Sequence, residues 1–109
     1  MAKGIMIALT NPTPAQRDEE FNRWYNETHA REVTSLPGIA SITRYRAHQQ
    51  ILPAGEEPAY RYLAIYELDD VDVALRSLAE GAEKFDMSES LDFSRSLGIA
   101  FTKIFPVGE

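Results

Sequence analysis

The chain is expected to fold as an α+β sandwich, a four-stranded antiparallel sheet with two helices on one face, in the order βαββαβ. Three observations support this. Short apolar runs suited to strands alternate with two stretches of helical periodicity. The longer helical stretch has a capping pattern at its start and a Pro-Gly stop at its end. The strands also carry more apolar side chains than two helices can cover.

The 109 residues suit a single domain, 1–109, with a real but small core. Residues 3–10 place Ile5, Ile7 and Leu9 on one face and Met6 and Ala8 on the other, as in a strand covered on both sides. The N-terminal run lacks a small-residue cleavage site and reads as that strand rather than as a signal peptide. Asn11 and Pro12 end it. Thr13-Pro14-Ala15-Gln16 then fits a capping box with Pro14 as the first helical residue, so a helix is predicted from Pro14 to the stop at Leu36-Pro37-Gly38.

A second strand over 39–48 sets Ile39, Ser41, Thr43, Tyr45 and Ala47 against Ala40, Ile42, Arg44, Arg46 and His48. Residues 49–59, with two prolines, a glycine and a glutamate pair, read as an exposed hairpin loop. The third strand, 60–68, alternates Tyr60, Tyr62, Ala64, Tyr66 and Leu68 with Arg61, Leu63, Ile65 and Glu67. Asp70 is a good N-cap for a helix over 71–84 with Val71, Ala74, Leu75, Leu78, Ala82 and Phe85 as its apolar stripe. Residues 86–96 suit a loop with one helical turn, and 98–107 a last strand. This order is the ferredoxin-like split βαβ arrangement. Tyr62, Tyr66, Phe101 and Phe105 cannot all lie beneath two helices, so an apolar sheet face is left over. Its simplest partner is a second copy, sheet against sheet, in a two-fold homodimer.

Composition removes several function classes. With no cysteine, disulfides, thiolate nucleophiles and thiolate metal sites are out, which is consistent with a cytoplasmic protein. A net charge of −6 argues against nucleic acid, whose phosphates need a basic footprint. No apolar run is long enough for a membrane span. The two histidines, His29 and His48, lack metal-ligand spacing; no metal and no cofactor is expected, and His48 reads as a solvated residue at a strand end. Phosphate-binding glycine loops and serine-centred elbows are absent.

What chemistry the sequence offers lies on the first helix. At about 100° per residue, Phe21, Trp24, Tyr25, Thr28, His29, Glu32 and Leu36 share one arc, aromatic in its first half and polar in its second. Tyr25–His29 and His29–Glu32 are neighbours at helical spacing. Imidazole is the side chain best suited to proton transfer near neutral pH, so His29 is the leading candidate; the plainer reading is a histidine bonded to Tyr25, Glu32 or a strand carbonyl. Glu32 is suited to orient that imidazole or to act as the base, or else to pair with Arg44, Arg46 or Arg61. Tyr25, Tyr62 and Tyr66 offer hydroxyls to a developing enolate or phenolate, although covered strands commonly contain tyrosine. Phe21 and Trp24 suit packing or pocket walls, and Thr28 a polar pocket contact.

The run Phe21-x-x-Trp24-Tyr25-Asn26-x-x-His29-x-x-Glu32-Val33, then Leu36-Pro37-Gly38 and the strand at 40–46, resembles the dimeric α/β-barrel superfamily. Within it the chain is most similar to the EthD-like proteins and their uncharacterised bacterial relatives. Nearly the whole chain is covered, and Tyr62-Leu63-Ala64-Ile65-Tyr66-Glu67-Leu68 fits the third strand. The superfamily includes polyketide cyclases, cofactor-independent monooxygenases, muconolactone isomerases, haem-degrading enzymes and chlorite dismutase-like enzymes. The resemblance implies a pocket in each subunit between helices and sheet, with the first-helix histidine near it. Relatives often have Asp in place of Asn26 and Pro in place of Arg31; the first departure weakens a role for a carboxylate at position 26.

The function expected first is that of a small cofactor-independent enzyme. It would do proton-transfer chemistry (cyclisation, isomerisation, dehydration or decarboxylation) on a hydrophobic, aromatic or lactone-like small molecule. His29, Glu32 and Tyr25 would be catalytic, and Phe21, Trp24, Thr28, Tyr62 and Tyr66 would bind substrate. The alternative is a non-catalytic dimeric binding protein using the same pocket. If His29 were sealed in packing, its role would be structural.

Overall fold

The computed structural model describes residues 3–15 and 17–107. Four strands, β1 (Gly4–Thr10), β2 (Ile39–Arg46), β3 (Tyr62–Leu68) and β4 (Leu97–Thr102), form one sheet in the order β2-β3-β1-β4, with every neighbouring pair antiparallel. The first helical rod has three consecutive parts: α1 (Asp18–Trp24), a π turn (Tyr25–His29) and α2 (Ala30–Thr34). The second is α3 (Val71–Gly81), extended by a 3₁₀ turn at Ala82–Lys84. The expected ferredoxin-like α+β sandwich is the fold observed. Among the described residues no helix is long and apolar enough to cross a membrane.

Register fixes the two faces. Met6 lies opposite Tyr66 and Ala100, and Ala8 opposite Ala64 and Gly98, so these residues share the helix-covered face. Phe21, Tyr25 and Val33 meet Tyr62, Ala64, Tyr66 and Leu68 there, with Val71 and Ala74 closing the core from α3. Full burial of a side chain such as Phe21, 0% exposed, is worth about 1.5–3 kcal/mol. The opposite face carries Ile5, Ile7 and Leu9 beside Leu63, Ile65, Leu97, Ile99 and Phe101, and no described element of the chain covers it.

Several sequence expectations are corrected. The helix begins at Asp18 rather than Pro14, and Arg17 at its start makes no side-chain cap. The Thr13 N–H donates instead to the Ser90 carbonyl at 2.7 Å, which holds this stretch against the loop before β4; Gln16 lies outside the described residues. Asp18, Glu19 and Glu20 place negative charge at the positive end of the helix dipole, which supports the start without a cap. On β2 the alternation slips at a bulge between Ile39 and Ser41, so Ile39 faces the core with Ile42 rather than pairing with Ser41 and Thr43. β4 ends at Thr102, not 107, because its partner β1 begins at Gly4. Phe105 is therefore off the sheet and 83% exposed, while Tyr62 and Tyr66 are both under the helices.

The two stop-and-start signals are where they were expected. Gly38 has φ +88°, and a Cβ there would stand 2.6 Å from the Ala74 backbone nitrogen, so glycine is needed both for conformation and for the approach of α3. Ser77 of α3 donates to the Pro37 carbonyl at 2.8 Å, and Asp70 caps α3 by accepting from the Val73 N–H at 3.1 Å.

Candidate functional site

The aromatic residues of α1 turn inward at helical spacing, and a π turn then rotates the next residues out of that spacing. The Ala30 N–H bonds to the Tyr25 carbonyl, five residues back. The extra residue in that turn brings His29 over Trp24, ring centroids 4.7 Å apart and planes 20° from parallel. Tyr25 and Phe85 meet the imidazole edge-on at 5.0 and 5.4 Å. Its ring is thus held by three aromatic neighbours, one of them from the segment after α3.

His29 Nδ1 lies 3.6 Å from Glu32 Oε1, close enough for charge interaction and too far for a hydrogen bond. Both atoms are buried and have no hydrogen-bond partner among the described residues. The other carboxylate oxygen, Oε2, accepts the Asp86 N–H at 2.7 Å, and Trp24 Nε1 donates to the Asp86 carbonyl at 2.7 Å. Burial holds the His29 pKa below its ordinary value, more than the Glu32 carboxylate raises it, and the nearby Arg44 charge pushes in the same direction as burial. The imidazole is therefore neutral near pH 7. A proton on Nδ1 would face the Glu32 carboxylate and leave the lone pair on Nε2.

Tyr25 and His29 form one wall of a cavity of about 250 Å³. Ala8 and Thr10 of β1, Leu97 and Gly98 of β4, and Leu91, Phe93 and Ser96 of the intervening loop complete it. This is smaller than the roughly 300–1,000 Å³ of sites for drug-sized ligands, and its wall is mostly apolar. The Tyr25 and Tyr66 hydroxyls are 3.0 Å apart, and burial raises both pKa values, so both stay protonated at physiological pH.

The expected site residues therefore separate. His29, Glu32, Tyr25 and Trp24 come together at or behind the cavity wall, with Tyr66 linked through its hydroxyl. Phe21 is sealed in the core. Thr28 is half-buried and not part of the wall. Tyr62 belongs to a second, polar cleft between α1 and β2, where its hydroxyl donates to Asp18 at 2.5 Å and accepts from Asn22 at 3.1 Å. Glu32 pairs with His29 rather than with an arginine. Sequence reasoning passed over Phe85, Thr10, Phe93 and Ser96, which reach the site only through chain crossings. It also missed Asn22 and Asn26, whose spacing of four was a visible signal. Among the described residues no three His, Cys, Asp or Glu side chains converge as a metal site would require.

No family model matches the chain, and no curated protein matches its sequence. Solved structures do. HapK from Hahella chejuensis superposes with a TM-score of 0.62 at 15% identity, over 97% of this chain and 96% of that one. An EthD family protein from Bacillus halodurans C-125 gives 0.55 at 15% identity, over 90% and 96%. These likenesses show a shared ferredoxin-like α+β fold across almost the whole chain.

Proposed function

We propose that the protein is a small cofactor-independent enzyme that moves a proton on a compact, largely apolar small molecule. The observation that carries this reading is a neutral, half-buried imidazole at a cavity wall, with a carboxylate behind its Nδ1 and no described residue bonded to its Nε2. In this reading Nε2 removes a proton from carbon next to a carbonyl. Glu32 holds the tautomer and stabilises the imidazolium that forms. The Tyr25 hydroxyl, backed by Tyr66, donates to the carbonyl oxygen as it gains enolate charge. Returning the proton to another carbon completes an isomerisation; attack by the enolate carbon on an internal carbonyl breaks its C=O π bond, and the resulting alkoxide takes the proton back from the imidazolium to complete a cyclisation. An EthD-like fold is compatible with either an enzymatic or a binding role.

The test is untargeted. The protein and its His29→Ala variant are each incubated with a small-molecule extract, and consumed and formed compounds are followed by mass spectrometry. At least one compound should be turned over by the parent and not by the variant. If His29→Ala consumes the same compounds at the same rate, the assignment fails; saturable binding without turnover would make the protein a carrier.

We also propose that the uncovered sheet face is a homodimer interface. Tyr45, Leu97, Ile99 and Phe101 are exposed on it, and Ile104 and Phe105 extend it along a groove of about 620 Å³ beyond β4. A contiguous apolar surface of this kind is costly in water. Sedimentation at micromolar concentration should give twice the chain mass, and a monomer mass would refute the dimer.

A further inference from the structure

Two cavities of about 350 and 400 Å³ share Arg46 and Tyr62 in their walls. The guanidiniums of Arg44, Arg46 and Arg61 stand 5.5, 5.9 and 5.9 Å from the Tyr62 ring centre. Three arginines around one ring is an unusual concentration in a chain with only 11 basic residues and a net charge of −6.

Their partners do not balance them. Arg61 is paired with Asp18, whose carboxylate also takes the Tyr62 hydroxyl. Burial opposes ionisation of Asp18, but these two bonds keep its pKa below the ordinary value, so its charge is already committed. Arg44 has no carboxylate among the described residues. Its Nη1 donates to Asn26 Oδ1 at 2.8 Å and its Nη2 to Asn22 Oδ1 at 2.9 Å, both neutral acceptors, while its Nε is buried with no described partner. Arg46 has the Tyr62 ring and no carboxylate among the described residues. The only other acid described on these walls is Glu57. Three guanidiniums thus face two carboxylates, leaving one unit of positive charge in a half-covered cleft, where cations lack the full screening of water.

We propose that this cleft binds the carboxylate of a small molecule, with Arg46 and Arg44 as its recognition groups. One negative charge balances the site, whereas a phosphate dianion overshoots it. The acidic balance of the chain excludes a polyanion. Asn22 and Asn26 hold the Arg44 fork in place, and Arg46, exposed at the end of β2, is the group left to close on the ligand through two parallel hydrogen bonds. The cleft shares no lining residue with the His29 cavity, and its assignment does not depend on the catalytic reading.

Benzoate titrated into the intact ¹⁵N-labelled protein should produce saturable shifts at the Arg46 side chain, the Asn26 side-chain amide and the backbone of residues 45–47. Benzamide, the neutral analogue, should not. Arg46→Gln, which removes no hydrogen bond seen among the described residues, should keep the melting temperature and weaken benzoate binding at least about tenfold. His29→Ala should bind benzoate as the parent does, so failure of the enzyme reading leaves this result standing. The proposal is overturned if benzoate causes no saturable shift, if benzamide binds equally, if Arg46→Gln binds benzoate unchanged, or if inorganic phosphate binds more tightly than benzoate.

Discussion

Replacing Asn11 with alanine is expected to destabilise the fold by about 3–5 kcal/mol, a large share of the roughly 5–15 kcal/mol that keeps a domain folded. Asn11 is 1% exposed and uses its whole amide. Nδ2 donates to the Ala59 and Arg95 carbonyls, both at 3.0 Å, and Oδ1 accepts the Arg61 N–H at 3.0 Å. One side chain therefore joins the end of β1 to the approach to β3 and to the turn before β4. Truncation strands two carbonyls and an N–H in a space with little access for water, and each unsatisfied group costs about 1–3 kcal/mol. Asn11→Asp should be nearly as damaging, since a carboxylate keeps the acceptor and loses both donations. Urea denaturation at fixed protein concentration gives the value as a shift in midpoint. A loss below about 1 kcal/mol for Asn11→Ala would show that the three groups find other partners.

The second large effect concerns proton transfer. His29→Ala is expected to lower turnover by about 10²–10⁴-fold, the usual range for removing a positioned general base. The pH dependence identifies the group further. In the proposed reaction neutral imidazole is the active form, so the rate is expected to rise with pH through the His29 pKa, which burial places below its ordinary value of 6.5. The Glu32 carboxylate is the group that raises this pKa against burial. Glu32→Gln removes that support, so the acid limb of the profile moves to lower pH, while the plateau rate falls because the imidazolium loses its counter-charge. An acid limb that stays in place, or moves upward, in Glu32→Gln would mean that the carboxylate does not act on His29.

Those residues also show what a sequence can and cannot reveal. His29, Glu32 and Tyr25 were legible because helical spacing brings them close whatever else the chain does, and Asp70 and Gly38 because caps and stops are local chemistry. The π turn was not legible, since nothing in Tyr-Asn-Glu-Thr-His marks an extra residue, and it is this turn that puts His29 onto Trp24. The same holds for the bulge at Ala40, which moves Ile39 to the core side. Thr13-x-x-Gln16 had the composition of a capping box, but pairing of Thr13 with Ser90 overrode it, a contact across 77 positions that local pattern cannot anticipate. Asn11 looked like a strand breaker. Its three bonds depend on residues brought together only by the finished sheet.

The segment between α3 and β4, which supplies Leu91, Phe93 and Ser96 to the cavity, is fastened along its length. Asp86 is held at its N–H by Glu32 and at its carbonyl by Trp24. Ser90 accepts from Thr13, Asp92 donates to the Asn11 carbonyl at 3.0 Å, and Arg95 accepts from the Asn11 side chain. The entropy of ordering this rim is thus incurred once, when the chain folds, rather than at each encounter with a ligand. Any small molecule that entered the cavity would meet walls already in position, and its contact energy would go into affinity instead of into organising the loop.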